Sequence, residues 1–89
     1  MTMKERIAAK LTQGLHPSTL DIVDESDRHQ GHAGAREGGE THYRAYIVSE
    51  SFAGKGRVQR HRIVYALLAD EFAAGVHALA LRTRAPGEA

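Results

Sequence analysis

Cysteine is absent from the 89-residue sequence. That excludes disulfides, a thiolate nucleophile, and any zinc or iron–sulfur site whose sulfur ligands come from this chain alone. Soft-metal chemistry here must use histidine or borrow sulfur from another molecule. Aromatic residues are few, with two Phe, three Tyr and no Trp, and no exposed platform for stacking bases is evident. No apolar run approaches the roughly 20 residues that a membrane-spanning helix needs. Charge of one sign is lacking as well: the formal net charge is +1, without the basic excess of a dedicated nucleic-acid binder. The opening "MTMKERIAAKL" is charged and amphipathic, unlike a secretory signal, and its Glu5 is out of place in a mitochondrial presequence, so the cytoplasm is the expected compartment. No nucleophile is paired with a base and no phosphate loop is present; "DES" with histidines nearby is too loose for a triad, so the chain does not read as an enzyme.

Histidine, by contrast, is plentiful. Six in 89 residues is about three times what ordinary usage would supply. The length is that of one small domain spanning 1–89, with hydrophobic residues at 42% and charged residues at 26%, the balance of a soluble globular protein.

In residues 3–13, Met3, Ile7 and Leu11 recur at helical spacing with Ala8 beside them, which predicts a short amphipathic helix stopped by Gly14 and Pro17. Residues 19–26 alternate as a half-buried strand. Residues 27–39 hold four glycines and no hydrophobic residue larger than alanine, and are expected to form an exposed, flexible loop carrying His29 and His32. The span 41–51 is the strongest strand, with Tyr43, Ala45 and Ile47 on one face and His42, Arg44, Tyr46 and Val48 on the other. After a turn at 52–56, residues 57–75 predict one long helix whose stripe is Val58, His61, Tyr65, Leu68 and Phe72, joined by Val64 and Leu67 and closed by Gly75. Residues 76–84 form the last strand and 85–89 a frayed tail. A helical crossover favours parallel pairing of the last two strands, and a loop favours antiparallel pairing of the first two. The result is a three-stranded mixed sheet with helices on one face, an α+β fold.

His77 admits two readings from the residues alone. It shares parity with Leu79 and Leu81 and so fits a packed ring capping the core, or it is an imidazole left out for a ligand. The start of the long helix poses a second question. Lys55, Arg57, Arg60 and Arg62 crowd it while Asp70 and Glu71 sit near its end, the reverse of what stabilises a helix dipole. The positive field there suits anions such as a carboxylate, acidic residues of a partner or DNA phosphate; the plain alternative is a solvated basic face.

"DIVDES" with its Gly- and His-bearing loop, then "GETHYRAYIVSESFAGKGRVQRHRIVYALLADEF" and "GVHALAL", together resemble the BolA family over residues 5 to 86 or so. The most specific pieces are Glu40-Thr41-His42, Phe52-x-Gly54-Lys55, Gln59-Arg60-His61-Arg62 and Val76-His77-Ala78-Leu79. The resemblance implies an αββααβ order similar to the class II KH arrangement. It also implies a non-catalytic role: a monomer that forms a heterodimer with a monothiol (CGFS-type) glutaredoxin and shares a [2Fe-2S] cluster with it and glutathione, in iron–sulfur trafficking or iron regulation. No cluster is expected in the isolated chain. Some bacterial members are DNA-binding regulators of morphology and stress genes, the alternative function, although "GKGR" does not supply the GxxG clamp of RNA-binding KH domains.

By the same resemblance His77 matches the family's C-terminal ligand. The second ligand is expected from the loop, as His29 or His32, with His29 first. His42 is expected to stand beside the site as a supporting group at most, His61 to be a core histidine on the helix stripe, and His16 to lie on a surface turn.

Overall fold

The computed structural model describes residues 1–25 and 41–88. Helix α1, Met3–Leu15, begins at a reciprocal cap: Thr2 Oγ1 accepts the Glu5 N–H at 3.1 Å and Glu5 Oε1 accepts the Thr2 N–H at 2.9 Å. Met3, Ile7, Leu11 and Leu15 are its buried face. The helix runs past Gly14 and ends at His16, which takes the left-handed conformation at φ 44° and bonds back to the Thr12 carbonyl at 3.0 Å. Gly14 therefore serves contact, not termination. A Cβ at that position would lie 2.6 Å from Leu67 Cδ2, so the missing side chain is what lets α1 meet the following helix.

Strand β1, Thr19–Asp24, pairs antiparallel with β2, His42–Val48, and β2 pairs parallel with β3, Ala78–Arg84, in the order β1-β2-β3. The alternation expected for β2 holds: Tyr43, Ala45 and Ile47 are buried with Ile22 and Leu79, while Asp21, Arg44 and Arg82 are exposed. The buried residues of the helices join those of the sheet in one core, and the opposite sheet face stays open. At the end of β2 the buried Ser49 hydroxyl donates to the Leu15 carbonyl at 2.7 Å and accepts the Ser51 N–H at 3.1 Å. It thereby fastens the last turn of α1 and starts a 3₁₀ turn, Glu50–Phe52, whose Phe52 is fully buried.

The long helix expected over 57–75 is two helices, α2 (Arg57–Leu67) and α3 (Ala69–Ala73). Leu68, at φ −103° and ψ 17°, breaks the axis, its N–H divided between the Val64 and Tyr65 carbonyls. The buried side of α2 is narrower than the expected stripe. Val64 and Leu68 enter the core, whereas Val58 and Tyr65 of the expected stripe are 63% and 46% exposed. The Tyr65 hydroxyl instead reaches the Leu79 carbonyl at 3.5 Å, and Arg60 Nη1 reaches that of Thr83 at 3.4 Å. Two α1 cations draw α3 onto α1 through Glu71, 1% exposed: Arg6 at 3.0 Å and Lys10 at 3.4 Å. No described helix is long and apolar enough to cross a membrane.

Candidate functional site

The connection from α3 to β3 places His77. Gly75 turns the chain at φ 129°, the Val76 N–H returns to the Glu71 carbonyl at 3.2 Å, and Val76 is buried. The next two amides, of His77 and Ala78, both donate to the Thr41 carbonyl, at 2.7 and 3.1 Å. Successive N–H groups of a pleated strand point to opposite sides. Two on one acceptor mean that the alternation starts only after His77. β3 accordingly begins at Ala78, two residues later than the sequence suggests, and His77 does not follow Leu79 and Leu81 toward the core. It is exposed.

His42 stands next to it. It opens β2 opposite Ala78, is 8% exposed, and has Nδ1 2.8 Å from the Thr41 hydroxyl. The rings of His42 and His77 are 5.2 Å apart between centroids and tilted by 50°. The fold thus brings together two imidazoles that are 35 positions apart in the chain, by the numbering 77 − 42. His29 and His32, the expected loop ligands, lie outside the described residues, as does the loop at 27–39. Among the described residues no group of three His, Cys, Asp or Glu side chains could hold a metal ion.

The expected anion site divides. Arg60 is engaged within the chain: Nη1 and Nη2 hold Glu88 Oε1 and Oε2, each at 2.7 Å, Nε donates to the Lys55 carbonyl at 2.8 Å, and the guanidinium lies 5.9 Å from the Phe52 ring centroid. The Arg60 hydrogen bonds, followed by the Ala85 N–H, hold the Glu88 carboxyl down to about 2. Residues 85–88, expected to fray, are fastened by these contacts. Ala85 is buried, and its N–H donates to Glu88 at 2.8 Å.

Arg60 also lines, with Lys55 and Arg57, a groove of about 450 Å³ between the start of α2 and β3, together with His61, Arg82 and Arg84; the Lys55 ammonium donates to the Ser51 carbonyl at 2.8 Å. Arg62 is exposed and lies off that wall. His61, expected as a core histidine, is only partly buried and faces this basic groove, whereas Val64 is the buried residue of α2. Sequence reasoning missed Arg82 and Arg84. Their alternation with Leu81 and Thr83 was the available signal, and it needed the parallel register to bring it beside α2.

A family model described as BolA-like protein matches residues 11–88. An uncharacterized protein from the cobS 5′ region of a Sinorhizobium species is 47% identical over 89 residues, covering 99% of this chain and 96% of that one. The Escherichia coli protein named DNA-binding transcriptional regulator BolA is 43% identical over 83 residues, covering 93% of this chain and 75% of its own length. Among solved structures, the BolA domain of SufE1 from Arabidopsis thaliana superimposes with a TM-score of 0.90 at 42% identity, covering 100% of this chain and 98% of that one. Motifs, strand order and these similarities agree, and the chain belongs to the BolA family.

Proposed function

We propose that the protein is a cytoplasmic iron–sulfur adaptor, not a catalyst: it binds a monothiol glutaredoxin and presents His77 and one further imidazole to a [2Fe-2S] cluster completed by the partner and glutathione. The role is iron–sulfur trafficking or iron regulation. The observation that carries this reading is the exposed His77 at the start of β3 in a chain without cysteine. A neutral imidazole is a good iron ligand, and a cluster with histidines replacing two thiolates has a raised potential. This chain's part is to hold His77 on a fixed backbone at the start of β3 and keep its ring accessible. The loop pair His29 and His32 is the expected source of the other ring.

Reconstitution with a monothiol glutaredoxin and glutathione tests the reading. The wild-type chain should give visible [2Fe-2S] absorption only with the partner, and His77→Ala should abolish the mixed-complex spectrum. An unchanged spectrum in that variant defeats the proposal.

The basic groove and the name of the Escherichia coli relative favour a second reading, DNA binding. Charge reversal of Arg57 and Arg82 should then lower duplex affinity and flatten its salt dependence by about 0.9 in log–log slope for each phosphate no longer neutralised. Unaltered affinity rules it out.

A further inference from the structure

The end of the chain folds back on the basic groove. Residues 85–88, Ala-Pro-Gly-Glu, make a tight turn closed by the Glu88 N–H on the Ala85 carbonyl at 3.1 Å, with Gly87 at φ 85°. Proline second and glycine third is the order that a turn with a positive φ at its third residue demands. The sequence thus specifies the reversal, and the reversal delivers a carboxylate to Arg60. Glu88 accepts Nη1 and Nη2 at 2.7 Å each, and its Oε1 also takes the Ala85 N–H at 2.8 Å. Such a fork of two parallel N–H donors binds phosphate as readily as carboxylate. Arg60 lines the groove, but Glu88 lies off its wall, so the fork is committed to the turn and not to the cavity. The other cations of the wall differ. Among the described residues Lys55, Arg57, Arg82 and Arg84 form no ion pair. An anion entering there meets four uncompensated charges and a fifth that the chain has neutralised itself.

We infer that the turn at 85–88 is a strap that withholds Arg60 from the groove, and that a phosphate group held by Lys55, Arg57, Arg82 and Arg84 draws the Arg60 fork off Glu88. The exchange replaces one oxyanion by another on the same two donors, and the released carboxylate, already 39% exposed, returns to water. The inference rests on the DNA-binding reading for the identity of the polyanion, and adds how the chain regulates that site.

Titration of the full chain with inorganic pyrophosphate at constant ionic strength, followed by nitrogen-15 NMR, tests it. In the wild-type chain pyrophosphate should shift the side-chain signals of Arg57 and Arg82, and with them Arg60 Nε and the Ala85 amide, which loses its bond to Glu88. Glu88→Gln opens the strap in advance and should bind pyrophosphate about threefold or more tightly than wild type, because apparent affinity falls by the fraction held closed. Glu50→Gln makes the same charge change at an exposed site off the groove wall, and should stay within about 1.5-fold of wild type. A Glu88→Gln chain that binds no better than Glu50→Gln overturns the inference. So does pyrophosphate that shifts Arg57 and Arg82 while Arg60 and Ala85 stay unmoved, or that binds neither chain. Should Glu88→Gln fail to fold, the wild-type titration decides alone. A short DNA duplex then separates the strap from the reading beneath it. A duplex that binds wild type and Glu88→Gln equally and leaves Ala85 unmoved keeps the DNA reading and overturns the strap. A duplex that binds neither chain defeats the DNA reading, and the pyrophosphate titration still decides the strap.

Discussion

Replacing Glu71 by Gln isolates the charge that joins α3 to α1, because the substitution preserves shape. The carboxylate is 1% exposed, with one oxygen 3.0 Å from Arg6 Nη2 and the other 3.4 Å from Lys10 Nζ. Gln keeps an acceptor for one cation and turns an NH₂ donor toward the other, so one charge-assisted bond disappears and one is weakened. Hydrogen bonds to charged groups contribute about 1.5–3 kcal/mol each. Removing one partner of a fully buried pair costs about 3–5 kcal/mol. Here Arg6 and Lys10 are 37% and 39% exposed and regain water when released, which lowers the cost. The expected loss is about 2 kcal/mol, a fall in Tm of about 8–16 °C for a domain of this size. Urea unfolding should show a lower midpoint with an unaltered slope. Because the Glu71 carbonyl also receives the Val76 N–H, amide exchange at Val76 should accelerate more than exchange in β2. A Glu71→Gln protein within about 0.5 kcal/mol of wild type, the range of ordinary surface substitutions, would refute the assignment of α3 docking to this carboxylate.

The remaining predictions use the same physics elsewhere. Glu88 has a folded-state value of about 2 against an ordinary 4.5, so the stability it contributes is present above pH 4.5 and lost as pH falls toward 2. Glu88→Gln should remove that part of the acid dependence, and an identical acid-unfolding curve in the variant would contradict the Arg60 fork. Gly14→Ala sets a helix-propensity gain of up to about 1 kcal/mol against an overpacking cost of about 1–3 kcal/mol where the new Cβ meets Leu67. Net destabilisation is expected in thermal melts, and a stabilised variant would show that Leu67 moves aside freely.

Much of this arrangement was legible in local pattern. Met3, Ile7 and Leu11 marked the buried face of α1, and the alternation through Tyr43, Ala45 and Ile47 gave the central strand and its orientation. The break at Leu68 was hidden because neither proline nor glycine marks it and the apolar spacing continues across it. Glu71 was hidden for another reason: Asp70 and Glu71 look alike at a helix end, and only the distant Arg6 and Lys10 distinguish the buried acid from the exposed one. At the site, the motif residues named His77, but its placement depended on two amides sharing one carbonyl, which no periodicity encodes. The nearness of His42 follows from the register of β2 with β3, set by packing between segments far apart in the chain.

The reach of Tyr65 and Arg60 to the carbonyls of Leu79 and Thr83 bears on how the molecule meets its own copies. β3 is the outermost strand on its side, and such a border normally offers a row of main-chain groups on which a foreign segment can lengthen the sheet. Here two side chains from α2 occupy acceptors on that row. Sheet growth from this flank would require both to let go, which guards a small protein against self-templated aggregation when it is crowded.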